Sequence, residues 1–132
     1  MLGDDFTSGG LSDALLRGDV LSAECPSRSV LRRVTNRWGT VVLLALAPGT
    51  LRFSELRRAV NGISERMLAK TLQDLESDGF VARVALPVVP PHVEYSLTQL
   101  GEELLPHVVG LAEWIERNIG RILAAQTEPK TP

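Results

Sequence analysis

In the stretch from Gly62 to Val84, GISERMLAKTLQDLESDGFVARV, apolar positions recur four and three residues apart. At about 100° per residue, Leu68, Leu72 and Leu75 fall on one narrow stripe, while Arg66, Lys70, Gln73 and Ser77 fall opposite. Ser64 suits the N-cap. Gly79 suits a left-handed terminus, and Phe80 resumes the apolar pattern. The pattern predicts a helix anchored by leucines that turns Arg, Lys and Gln outward. Such a face is by itself the ordinary solvated side of an amphipathic helix, so its meaning depends on its neighbours.

Before it, positions 1–10 are polar and Gly-rich without periodicity, which predicts a loose arm. SDALLRGDVLSAE, from Ser12 to Glu24, has the spacing of a short helix weakened by Gly18. Pro26 stands where a first helical turn tolerates proline, and Ser27 to Arg37 place Val30, Leu31 and Val34 on one face. WGTVVLLALAPG is apolar nearly all round and predicts a short buried helix closed by Pro48-Gly49. RFSELRRAV sets Phe53, Leu56 and Val60 at helical spacing, with Ser54 as candidate cap and Asn61-Gly62 as the turn.

After it, Val81 to Ala85 and Val93 to Leu97 read as strands joined through Pro87, Pro90 and Pro91. From Thr98 a long helix carries Leu104, Val108, Leu111, Ile115, Ile119 and Ile122 at spacings of four and three, with Pro106 kinking it or marking its first turns. Three short helices followed by a hairpin form the order of a winged helix-turn-helix, mainly α with a small β-hairpin. In that arrangement the third helix enters the major groove and the hairpin reaches the backbone or minor groove alongside. The expected organisation is an acidic arm over 1–24, partly helical or disordered, and a winged-helix domain over 25–98. A dimerisation helix over 99–125 and a disordered tail over 126–132 complete it.

Composition changes this picture in three ways. The 132 residues, 44% of them apolar, suit one domain with a real core. The net charge of −2 conceals a basic middle: residues 25–83 carry +5, the preceding segment −4 and the following one −3. One face is therefore expected to meet an anion. No apolar run is long enough for a membrane span and the acidic start is unlike a secretory signal, so a cytoplasmic protein is expected. The lone Cys25 rules out an intramolecular disulfide. With only His92 and His107 besides, widely separated, neither a metal site nor a cofactor is expected. No Gly-rich phosphate loop or Ser/His/Asp set suggests an enzyme.

The segments NRWGTVVLLALAPGTLRFSELRRAVNGISERMLAKTLQDLESDGFVAR and VPPHVEYSLTQLG, preceded by Cys25-Pro26, resemble the HxlR-type transcriptional regulators, a bacterial winged-helix family related to the MarR type. The resemblance covers roughly residues 25–118. It implies a homodimer on a palindromic operator of double-stranded DNA, acting as repressor or activator. The family usually has a basic residue before VEY, where this chain has His92, and the acidic arm is longer than the family pattern. In several members a cysteine at the position of Cys25 senses oxidants or electrophiles. A place before Pro26 at a helix N-terminus, with Arg28 nearby, suits a reactive thiolate, against the alternative of a small buried hydrophobe.

Groove chemistry assigns contacts. Arg66 and Lys70 match guanine O6 and N7, and Gln73 an adenine edge. Ser64 stands at the groove entrance, suited to a phosphate, as are Arg52, Arg57 and Arg58, with Arg37, Arg83 and His92 as further phosphate candidates. Glu65 repels phosphate unless it accepts from cytosine N4 or simply favours the helix N-terminus. Asp74, Glu76 and Asp78 lie away from the groove entry. Two recognition helices on a two-fold axis would read half-sites about 10 base pairs apart or a multiple of that. The C-terminal stripe from Leu104 to Ile122 would form the interface, unless it folds back on its own domain, and Leu11, Leu15 and Leu16 would extend it. Trp38 and Trp114 suit packing, and a pocket between the domain and the C-terminal helix suits a small apolar effector. The competing reading is a winged-helix module for protein assembly, its basic face docking an acidic partner.

Overall fold

The computed structural model describes residues 20–128. The first helix, α1 (Pro26–Thr35), starts at proline in the first turn, with Cys25 as its extended N-cap. Asn36 turns the chain by accepting the Trp38 and Gly39 N–H groups at 2.9 and 2.7 Å. Helix α2 (Gly39–Ala45) follows, then β1 (Leu51–Arg52) and α3 (Phe53–Ala59). Gly62, at φ +90°, makes the turn into α4 (Glu65–Ser77), and Gly79, at φ +87°, ends it. Both positions occupy the left-handed region that side chains disfavour.

Strands β2 (Val81–Leu86) and β3 (His92–Leu97) form an antiparallel hairpin, the wing, in which Leu86 faces His92 across a loop of residues 87–91. β1 adds to its other side, Leu51 opposite Tyr95 and Arg52 opposite Glu94, giving the order β1-β3-β2. This third strand was not expected, since two residues are too few to show alternation. The start of α3 also differs. Arg52 is the N-cap and the Glu55 carboxylate accepts the Arg52 N–H at 2.7 Å, so Ser54 lies within the first turn instead of capping it.

The core collects one face of each of α1 to α4: Val34 from α1, Val42, Leu43 and Leu46 from the α2 region, Leu56 from α3, and Leu68, Leu72 and Leu75 from α4. Val81 and Tyr95 close it from the sheet. Helix α5 (Gln99–Arg117) is capped by Thr98, whose hydroxyl accepts the Gly101 N–H at 3.0 Å and donates to the Gly79 carbonyl at 2.5 Å. A Cβ on Gly101 would collide with the Phe80 carbonyl oxygen, so only glycine permits this approach of α5 to the α4–β2 junction.

The single C-terminal helix expected over 99–125 is two. α5 runs through Pro106 unbroken, then stops at Asn118, where α6 (Ile119–Thr127) begins. The Asn118 side chain donates to the Trp114 carbonyl at 2.8 Å and accepts from Arg121 at 2.8 Å, which stabilises the break. Residues 126 and 127, expected in a disordered tail, are helical, and 129–132 lie outside the described residues. Residues 20–24 form turns where the end of the arm helix was expected; the rest of that helix, with Leu11, Leu15 and Leu16, lies outside the described residues. Among the described residues, no helix is long and apolar enough to cross a membrane.

Candidate nucleic-acid interface

Helix α4 is held from behind and at both ends. Leu68, Leu72 and Leu75 are buried with Thr71, a polar residue the leucine stripe did not single out. At the N-terminus the Ser64 hydroxyl accepts the Met67 N–H at 3.0 Å, so this oxygen is engaged by its own helix. At the C-terminus, Arg33 of α1 clamps Asp78 through two charge-assisted hydrogen bonds of 2.6 and 2.7 Å. The bond to Asp78 raises the Arg33 pKa above its ordinary value against a smaller opposing effect of desolvation, so the guanidinium stays charged at every working pH. Sequence spacing carries no sign of this pair, 45 residues apart.

With those anchors in place, Arg66, Lys70 and Gln73 all lie exposed on the opposite face of α4. Lys70 leans one turn along the helix to Asp74, 3.2 Å away. Glu65 pairs with Arg57 of α3 at 3.0 Å. Both pairs are solvent-exposed and weak, so phosphate or a base edge can displace them. The Arg57 pair also keeps the Glu65 carboxylate from standing alone at the N-terminus of α4.

The expected phosphate contacts divide among three clefts. Arg57 and Arg58 line the notch between α3 and the start of α4, together with Phe53, Ser54 and Glu65. Arg52 and His92 line a second, between α3 and the wing. Arg83 and Gln73 share a third, between α4 and the sheet, with Glu76 and Tyr95. Arg37 lines none of these; its guanidinium stacks on Trp38, 4.8 Å from the ring centre. His92 lies 3.6 Å from Glu94, whose carboxylate weakens it as a partner for phosphate.

The C-terminal stripe is split between two tasks. Val108, only 5% exposed, belongs to the chain's own core and not to the surface expected for an interface, while Leu104 is half-buried against that core. Their carrier, α5, lies across α2. Beyond them Leu111, Ile115 and Ile119 are exposed and Ile122 half-buried. Trp114 and Leu123, which the spacing did not include, are exposed beside them. An apolar cleft between α1 and α5, lined by Pro26, Val30, Leu31, Phe80 and Leu104, occupies the place expected for an effector. Cys25, a free and half-buried thiol, stands at one end of α1. Arg28 donates to the Leu21 carbonyl at 2.7 Å, which fastens the turn and directs its charge to the backbone instead of to sulfur.

Comparison with known proteins identifies the fold. The HTH-type transcriptional regulator YtfH of Escherichia coli is 56% identical over 118 residues, spanning 89% of this chain and 94% of the relative. The solved transcriptional regulator ytfH from Salmonella typhimurium, also 56% identical, superposes with a TM-score of 0.78 over 83% of this chain and 97% of its own. The redox regulator HypR in its reduced form is 37% identical, with a TM-score of 0.70 over 75% of this chain and 98% of its own. The family model described as HxlR-like helix-turn-helix matches residues 33–122, most of the chain, and the protein belongs to that family.

Proposed function

We propose that this transcriptional regulator binds DNA sequence-specifically as a homodimer on a palindromic operator, with α4 as the reading helix. The observation that carries the reading is α4 itself: buried leucines behind, Ser64 and the Arg33–Asp78 clamp at its ends, and Arg66, Lys70 and Gln73 outward. Arg66 and Lys70 read guanine and Gln73 adenine, by the donors and acceptors the major groove presents. Arg52, Arg57, Arg58 and Arg83 hold phosphates. Arg37 and His92 add to the phosphate field from outside the α3–α4 notch.

Selection of bound sites from a random duplex pool, at near-physiological salt with the thiol reduced, tests this directly. Recovery of a palindrome is expected; recovery of nothing above background would favour the protein-assembly module. On the recovered site, Arg66→Ala should cost about 1–3 kcal/mol and relax the preference at one base pair. Arg57→Ala should weaken all sequences alike and lower the salt slope by about one. Equal losses on specific and random duplexes for both variants would remove Arg66 as a base reader.

Cys25 is proposed as an oxidant-responsive position. Support comes from its free thiol at the N-cap of α1 and from the similarity to a protein named as a redox regulator. The family match starts at residue 33 and does not include Cys25. With one cysteine per chain, any disulfide must join two Cys25 sulfurs across chains, or Cys25 to a small thiol, the oxidant taking two electrons as both thiol protons are lost. Diamide should therefore produce a reducible covalent dimer, or a mixed disulfide when glutathione is present, and change operator affinity. Unchanged affinity after complete oxidation would leave Cys25 without a regulatory role.

A further inference from the structure

The tip of the wing is unlike a phosphate-binding hairpin. Between Arg83 and His92 the chain reads Val-Ala-Leu-Pro-Val-Val-Pro-Pro, with no charged or hydrogen-bonding side chain. Val89 at its centre is 98% exposed, and Val84 and Val88 are about half exposed. Three of the five loop residues are prolines and offer no N–H to a phosphate oxygen. The Val88 N–H donates to the Leu86 carbonyl at 2.9 Å, which removes another donor. At the loop's base Glu94 lies 3.6 Å from His92, a carboxylate where a phosphate-binding hairpin would carry positive charge. A solvated loop has no need of this composition, and an exposed apolar surface of this kind marks a contact site.

We infer that the wing tip is an apolar wedge for the DNA minor groove, with Val88 and Val89 pressing against sugar walls and base edges and deforming the duplex. This rests on α4 reading the adjacent major groove. The placement favours DNA over a protein partner. Gln73 of α4 and Arg83 of β2 line one cleft, so the hairpin rises directly beside the reading helix. Arg83 stands on the strand below the tip, placed for a flanking phosphate, and the three residues from Arg83 to Leu86 advance the chain about 10 Å beyond it. The minor groove is about 6 Å wide, too narrow for a helix but open to a valine-proline loop. Fixed proline geometry lowers the entropy lost when the loop is seated. Apolar side chains that enter this groove partly unstack a base step and kink the duplex by roughly 20–90°, most easily at pyrimidine–purine steps.

The test uses the full chain and the operator it selects, comparing wild type with the Val88→Ser/Val89→Ser variant. Both side chains are exposed, so the variant should melt with the wild type. Bend angle is read by energy transfer between the labelled duplex ends. The wild type should bend the operator. The variant should lose most of the bend and about tenfold in affinity while keeping the base preferences assigned to α4. Replacing adenine by 2,6-diaminopurine under the wing, which puts an amino group in the minor groove, should weaken the wild type and spare the variant. Equal bend and affinity for the two proteins would overturn the wedge while leaving α4 as a reader, whether the tip is idle or holds a protein. Failure of the wild type to select any duplex would overturn both.

Discussion

Ile115→Asp should abolish the dimer and lower operator affinity by about 10²- to 10⁴-fold, because two linked half-sites bind as one far more tightly than either alone. Ile115 lies in the middle of an exposed apolar stripe that runs from Leu111 and Trp114 on α5 to Ile119 and Leu123 on α6. Single exposed hydrophobics are ordinary, but five of them on successive turns of α5 and α6 support the proposed interface. A carboxylate there stays hydrated in the monomer and is buried without a partner in a dimer, which penalises association alone. Light scattering should report a monomer with unchanged circular dichroism, and the variant should still bind an isolated half-site weakly. A dimer of wild-type strength would move the interface elsewhere, and α1 with its half-buried apolar cleft is then the face to test. Val108→Asp serves as the contrast: Val108 is in the core, so that variant should fail to fold instead of failing to associate.

Leu72→Ala should destabilise the domain by about 2–5 kcal/mol, on the order of 10 °C in melting temperature for a domain of this size. The side chain is 1% exposed within the core that α4 forms with α1, α2 and β2, so truncation leaves a cavity that the surrounding leucines only partly fill. Gln73→Ala, one residue along and on the outer face, should leave stability within about 0.5 kcal/mol of wild type while altering base preference. Thermal denaturation of the pair, together with selection on Gln73→Ala, separates what α4 does for the fold from what it does for DNA. A large stability loss at Gln73, or none at Leu72, would mean the helix is mounted the other way round.

Those contrasts also indicate where the sequence is readable. Period and capping chemistry are local, so Ser64, the leucine stripe, Gly62 and Gly79 define α4 without its neighbours. Pro26 does the same for the start of α1, and the proline-rich loop for the wing. β1 escaped because its two residues are held by pairing with Tyr95 and Glu94 in a strand more than forty positions away. Ser54 misled because capping residues are common just inside helices as well as before them. The C-terminal stripe looked uniform because spacing shows that residues share a face, but not what the face meets.

Residue order alone, then, establishes a basic middle segment, an amphipathic helix with an Arg-Lys-Gln face and a hairpin beyond it, because each is a matter of local periodicity and local charge. Only the tertiary structure decides how those parts are used. It turns Val108 inward while leaving Leu111 and Ile115 outside, and breaks the helix at Asn118. It locks α4 to α1 through Arg33 and Asp78, and sets Glu65 against Arg57. These are contacts between segments distant in sequence, fixed by close packing and by the need of each buried or clustered charge for a partner, and neither requirement leaves a periodic trace in the chain.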